Sequence, residues 1–326
     1  MNHAGPSGHP LPAITVQAGA PVPVPGAGYT ELGLAAMILI WGVNFAVVKR
    51  ALEVFDPLGF NALRYLLASI FVYVVLRSRG PLTLPRREDA LRVIILGLVG
   101  NLIYQMAFIQ GLYRTRAGNA SLLLALVPVF ILLFSWKSEP KPGVGVWAGV
   151  ILSVVGVALV SGAALQVEGA VTMAGDVLML GAAAVWALYT VGIRPLIERY
   201  GSIQATAWTL WVGGSAIFLA GVPALARQDW GAVDGSAWVG LLYSALLSIG
   251  LAYLLWYRGV ERIGGARTAV YSNLTPVVAL ATGWLWLGET LSVLAMVGTA
   301  MVLIGLMAVR SVPGLKLRRQ RAREAP

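Results

Sequence analysis

The stretch GLYRTRAGNASLLLALVP, Gly111 to Pro128, is stated a second time as GVERIGGARTAVYSNLTP, Gly259 to Pro276. In both copies an apolar run closes on Gly and a basic turn, a segment of small residues opens the next run, and a proline falls 17 positions after the Gly. The two glycines and the two prolines are each separated by 148 positions. The echo continues outside this pair. Glu31 and Trp41 recur as Asp176 and Trp186 at an offset of 145, and Gly149 and Gly156 recur as Gly298 and Gly305 at 149. The chain is therefore a tandem duplication, and its fold must be one that two similar halves build together.

The solvent of that fold follows from composition. With 58% apolar residues, 12% charged residues and a mean hydropathy of +0.78, the chain has too little charge to clothe a soluble surface and belongs in a bilayer. Apolar segments near 32 to 48, 58 to 76, 93 to 112, 119 to 136, 144 to 162, 173 to 192, 203 to 222, 237 to 257, 268 to 287 and 291 to 309 are each close to the roughly 20 residues that cross the hydrocarbon core. Gaps such as Glu53 to Pro57 leave room only for tight turns, so sequential helices are expected to be antiparallel neighbours. The predicted organisation is a tail over 1–30, a first repeat of helices 1 to 5 over 31–162, a second repeat of helices 6 to 10 over 173–309 and a basic tail over 310–326. The first tail, rich in Pro, Gly and Ala, lacks a signal-peptide pattern and is expected to be disordered. The second suits anionic lipid heads.

Lys and Arg fix the expected orientation. With the N-terminus cytoplasmic, the inner gaps and tail hold 18 of the 24 basic residues, the outer gaps hold Lys49, Arg50, Arg114, Arg116 and Arg227, and Arg64 lies inside a helix. The positive-inside rule then puts both termini in the cytoplasm of an inner, or plasma, membrane. Five helices per repeat is an odd number, so the second copy starts on the opposite face. The predicted fold class is all-α, with ten transmembrane helices as two inverted five-helix repeats, an arrangement that in carriers alternates access to a site between the halves.

Trp41-Gly42-Val43-Asn44-Phe45, Pro57 with Arg64, Gly175-Asp176 followed by Trp186-Ala187-Leu188-Tyr189, Leu287-Gly288-Glu289 and the two proline-bearing helices resemble the EamA family of the drug/metabolite transporter superfamily. The resemblance runs from about residue 31 to 309. It implies ten helices in two inverted repeats and the movement of small organic solutes such as amino acids across the inner membrane, often outward. Trp136-Lys137-Ser138-Glu139-Pro140 departs from the pattern, reading Ser-Glu where the family has Gly-Glu.

The candidate solute-binding residues come from helical spacing. Asn101, Tyr104, Gln105 and Phe108 share one face of the third helix, and the 148 offset carries that face to Ile249, Ala252, Tyr253 and Trp256 of the eighth. Trp186, Tyr189 and Thr190 share a face of the sixth helix; Trp41, Asn44 and Phe45 occupy the equivalent place in the first. Thr268, Tyr271, Ser272 and Thr275 form a stripe on the ninth, with Asn273 beside it. Amides in hydrocarbon need a partner or water, so Asn44, Gln105 and Asn273 are expected to face the bundle or a cavity. Aromatics near helix ends equally suit an interfacial belt, and Asn44 equally suits a bond to a neighbouring helix. Pro128 and Pro276 fall mid-helix, remove hydrogen bonds to the carbonyls of Leu124 and Ser272, and are candidate hinges; static kinks are the plainer alternative.

Gly145, Gly149, Ser153 and Gly156 line one side of the fifth helix, and Gly298 and Gly305 repeat part of the stripe in the tenth, a packing surface that could also serve a homodimer. Glu31, Glu139, Asp176 and Glu289 are placed at helix ends, so no buried acid is expected and a proton relay is unsupported. With no Cys and both histidines, His3 and His9, in the first tail, no enzyme site, metal or cofactor assembles. The scattered basic residues offer no face to nucleic acid despite a net charge of +10. The expected partners are the bilayer and a small solute, which an aromatic interior would hold if apolar or aromatic; a strongly anionic solute would have only Arg64 to meet it. A membrane scaffold is the alternative function.

Overall fold

The computed structural model describes residues 27–134, 144–168, 170–263, 271–289 and 292–310. The described residues are almost wholly helical: α1 (Ala27–Ala51), α2 (Pro57–Arg77), α3 (Arg87–Arg114), α4 (Ala117–Phe134), α5 (Val144–Glu168), α6 (Ala170–Tyr200), α7 (Ser202–Arg227), α8 (Gly235–Leu242 continuing to Ile263), α9 (Thr275–Leu287) and α10 (Val293–Arg310). Seven of them, α1 to α4 and α6 to α8, are long and apolar enough to cross a membrane. Shorter apolar helices lie at Trp147–Val160, Thr275–Leu287 and Val293–Ala308. Large apolar residues such as Ile70, Ile151, Leu219 and Trp284 are exposed on the outside, as hydrocarbon rather than water as neighbour requires.

Local chemistry sets the helix ends. Asp56 accepts from the amides of Leu58 and Gly59 and is followed by Pro57, whose missing N–H costs nothing in a first turn. Asp234 caps α8 through the amide of Ala237 at 2.8 Å; that bond, together with the Ser236 hydroxyl, holds its carboxyl below the usual carboxylate range. Several boundaries differ from expectation. The first helix begins at Ala27, inside the stretch assigned to the tail, and α6 extends to Tyr200 because Pro195 is accommodated inside it.

The helices pair in a pattern that survives a shift of five places along the chain. The α3–α6 contact is matched by α8–α1, and α4–α6 by α9–α1; α2 packs on α7 and α5 on α10. The α5–α10 seam is built where the glycine stripe predicts it. A Cβ on Gly156 would stand 2.6 Å from the carbonyl oxygen of Gly298, and one on Gly298 would stand 2.6 Å from that of Gly156. Only backbone without side chains allows this approach, and α10 thereby occupies the stripe within the chain. Gly145 meets nothing within 4 Å and is not part of the seam.

Polar contacts at the two ends of the bundle tie together the gaps that the basic-residue count assigns to common faces. At one end Arg199 bonds Glu88 and Asp89, Tyr200 donates to Asp89, and the Trp208 indole donates to the Thr83 carbonyl. At the other, the Gln228 amide donates to Val54 O at 2.9 Å while accepting from Asp56 N at 2.8 Å.

Candidate functional site

Both α3 and α8 depart from α-helical hydrogen bonding at matched depth. Leu98–Ile103 and Tyr243–Leu251 are π-helical, and the 148 offset carries the first onto residues 246–251 of the second. A π segment displaces carbonyls from their usual partners and makes them available to side chains. The Trp41 indole N–H takes one of them, Ser248 O, at 3.0 Å.

Around these segments the rings form one continuous chain. Phe45 meets Phe108 at 5.8 Å between centroids, Phe108 meets Tyr104 at 5.9 Å, and Tyr104 meets Trp186 at 4.8 Å. Trp186 touches Tyr189 at 5.2 Å and Tyr253 at 6.0 Å; Tyr253 meets Trp41 at 6.0 Å, and Trp41 meets Trp256 at 5.7 Å. Its members come from both halves of the chain, which meet at Tyr104–Trp186, Tyr253–Trp41 and Trp41–Trp256. Tyr104, Phe108 and Tyr189 are buried, which an interfacial belt would not bury, whereas Trp41, Trp186, Tyr253 and Trp256 are half-buried. Tyr271, like Trp41 and Trp256, packs against the cluster of Leu34, Met37, Ile38 and Ala252, and Ser272 next to it in the chain is half-buried. Thr268 and the side chain of Asn273 lie outside the described residues.

The polar candidates divide. Gln105 is buried and accepts a hydrogen bond from Arg64. Asn44 is buried with its Oδ1 free of any donor. The arginine, which the sequence offers only as the group a strongly anionic solute would meet, is the largest fully buried side chain among the described residues, 2% exposed. It also donates to Ser244 Oγ at 3.2 Å, and its guanidinium carbon lies 5.8 to 5.9 Å from the rings of Phe60, Tyr65 and Phe108. Its lone position in an apolar run was the available signal; that Ser244, 180 positions away, faces it was not.

One expectation is overturned. Asp176 was placed at a helix end, with no acid buried; α6 starts at Ala170, so Asp176 falls in the second turn and is 3% exposed. It accepts from the Thr115 hydroxyl at 2.5 Å beneath the α3–α4 turn, where Gly175 leaves room for the backbone of Arg114 and Thr115. The same turn is held from two further helices. Lys49 donates to the carbonyls of Leu112, Tyr113 and Thr115, supplying charge to the negative end of α3. Glu289 accepts from the amides of Ala117 at 2.6 Å and Gly118 at 3.1 Å, capping α4 from across the bundle. Gly288 makes this reach possible through a left-handed φ of 65°, which turns the chain as α9 ends. Lys49, Arg114, Thr115, Gly288 and Glu289 line a cleft of about 380 Å³ with Arg50, Glu53, Arg116 and Trp286.

The Glu289 cap yields a stability prediction. Glu289→Ala strips two amides of a charged acceptor at a helix N-terminus and is expected to cost about 1 to 2 kcal/mol. The check is the thermal midpoint of the purified protein in detergent. An unchanged midpoint for E289A would mean that the cap contributes nothing.

A second expectation is corrected: both prolines were placed mid-helix, and neither lies inside an unbroken helix. The first segment of α4 ends at Leu124, and Pro128 enters the first turn of a second segment, Val127–Phe134. Pro276 follows a tight 3-10 turn, Ser272–Leu274, and sits in the first turn of α9. The missing N–H interrupts the hydrogen-bond ladder at equivalent places in the two copies. Glu139 and the Ser-Glu departure at the end of the fourth segment lie outside the described residues.

Comparison with known proteins gives consistent results. The model of the EamA-like transporter family matches residues 29–162 and again 173–311. A protein of Streptantibioticus cattleyicolor named as a probable terminal-alkyne amino-acid exporter is 26% identical over 85% of this chain and 91% of its own length. An uncharacterized transporter of Archaeoglobus fulgidus is 30% identical over 85% of this chain and 95% of its own. A crystal structure 18% identical, covering 89% of this chain and 99% of the other, superposes with a TM-score of 0.63, which shows a shared fold. A duplicated membrane chain whose halves meet in an aromatic interior, and whose halves each match one and the same family, belongs to the EamA-like transporters.

Proposed function

We propose that the protein is a carrier of small organic solutes, amino acids among them, and that it works by alternating access between two inverted five-helix repeats that together cross the membrane ten times. The observation that carries this reading is the single chain of rings from Phe45 to Trp256, because its members come from α1 and α3 of one half and α6 and α8 of the other. A scaffold has no need of such an interior, whereas a carrier that rocks one half against the other regrips a flat apolar solute along it. Helix contacts matched under a five-place shift support the inverted repeat, and the basic-residue asymmetry supports cytoplasmic termini in the inner membrane. The name of the Streptantibioticus relative supports outward movement of amino acids. Pro128 and Pro276 serve as hinges in this scheme, since each lets the segment on one side of it tilt without breaking a backbone hydrogen bond. The solute site comprises Trp41, Asn44, Tyr104, Gln105, Phe108, Trp186, Tyr189, Tyr253, Trp256, Tyr271, Ser272 and Asn273.

Counterflow of a labelled amino-acid panel in proteoliposomes, with and without a pH gradient, tests this function. Saturable exchange without a gradient is the expected result. Exchange that requires the gradient would make buried Asp176 the coupling residue to substitute. No exchange of any panel member under either condition would overturn the carrier reading.

A further inference from the structure

Arg64 is out of place in a carrier for purely apolar solutes. At the 1.5 Å rise of an α-helix it lies about 10 Å below the start of α2, and both acceptors it has found, Gln105 Oε1 and Ser244 Oγ, are neutral. Its Nε has no hydrogen-bond partner and no carboxylate pairs with it. One turn earlier on the same face of α2, Asn61 is fully buried with both side-chain polar atoms unpartnered. Buried polar groups are ordinarily satisfied, and a buried cation that lacks an anion is costlier than any other such group. Two neighbouring exceptions on one helix face call for a polar guest.

We infer that Arg64 anchors the carboxylate of the transported solute, with the solute's apolar body lying along the ring chain that begins at Phe108. This rests on the carrier reading and names its substrate class. A carboxylate matches the guanidinium fork, and binding through Nε and one terminal nitrogen needs only the displacement of one neutral acceptor. The exchange favours the carboxylate because a bond between two ions replaces one from Arg64 to a neutral acceptor, at a side chain only 2% exposed. The Asn61 amide N–H stands ready as a further donor. Arg64 is the one buried basic side chain among the described residues, so the site balances one negative charge. A phosphate dianion would need a second cation. Phe108, over which the guanidinium sits at 5.8 Å, joins this polar end to Tyr104 and Trp186. The solute class is thus an aromatic or apolar monocarboxylate, including a zwitterionic amino acid.

The test pairs acids with amides of the same shape. Thermal midpoints of the full-length detergent-purified protein are measured with roughly 10 mM phenylacetate, phenylalanine, phenylacetamide or phenylalaninamide, a concentration at which a millimolar ligand gives a readable shift. Phenylacetate and phenylalanine are expected to raise the midpoint and their amides are not. Arg64→Gln is expected to lose at least about tenfold in apparent affinity for the acids, and Arg64→Lys to keep part of it. Equal shifts from acid and amide in the wild type would overturn the inference even if R64Q fails to fold. An acid shift that persists in R64Q, or the absence of any acid shift in the wild type, would also overturn it. Counterflow of the same four compounds separates this inference from the carrier reading. Equal exchange of acid and amide leaves a carrier without a carboxylate anchor, whereas an acid-specific shift without exchange leaves the anchor and removes the carrier.

Discussion

Replacing Gly213 with leucine is expected to lower the thermal midpoint by roughly 5 °C, the consequence of overpacking that costs about 3 kcal/mol. A Cβ at this position would stand 2.3 Å from the carbonyl oxygen of Gly97 and 2.4 Å from Cβ of Asn101. The first obstacle is backbone, which cannot rotate aside, so α7 and α3 must separate. Separation also lengthens the bond from the Asn101 amide to Thr209 O, now 3.0 Å, and loosens Tyr189, whose hydroxyl pairs with Thr209 Oγ1 at 3.0 Å. The matched control is Gly181→Leu in α6, which is exposed and would meet nothing within 4 Å. It is expected to be neutral or slightly stabilising, since leucine is the better helix former. Equal midpoints for G213L and G181L would contradict this account of the α3–α7 contact.

The second large effect falls on transport. Trp186→Ala removes the ring that touches Tyr104, Tyr189 and Tyr253 at once and so cuts the chain between the two halves. A solute ring stacked on Trp186 gains about 0.5 to 1.5 kcal/mol from that pair, so the half-saturation concentration for counterflow should rise about two- to tenfold. Trp186→Phe keeps an edge toward Tyr104 and should stay within about threefold of wild type. Trp186 packs against two core clusters, so its truncation should also lower the thermal midpoint, and half-saturation is read on the folded variant. Wild-type half-saturation in W186A would show that the solute does not travel along these rings.

Periodicity made the faces of the helices legible, because the residues that share a face were already spaced three and four apart. Tyr104, Gln105 and Phe108 in α3, and Tyr253 and Trp256 in α8, come together for that reason, and repetition placed the two groups at one depth. The glycine stripes were legible for a similar reason, since small residues in register have no other use than close approach. The contacts that depend on distant partners were not. Nothing near Glu289 in the chain says that its carboxylate caps a helix 172 positions away, and nothing near Arg64 names Ser244. Asp176 was misplaced because a helix start was set a few residues too late; one turn of error moved an acid from the surface to the interior. The π segments left no signature, because a shift to longer hydrogen bonds changes no residue's preference enough to read.

Two inverted halves that give each side of the membrane its turn at one site in the ring chain would open that site to both faces. The chain has no cysteine, so a single Tyr253→Cys variant can be labelled without background. Right-side-out and inside-out vesicles carrying this variant would be treated with a membrane-impermeant maleimide, with exchanged solute loaded on the same or the opposite side. Labelling is expected in both orientations, at rates that shift in opposite directions as the solute is moved across, while the reagent stays out of the lumen. Labelling from one orientation only, whatever the solute distribution, would contradict alternating access.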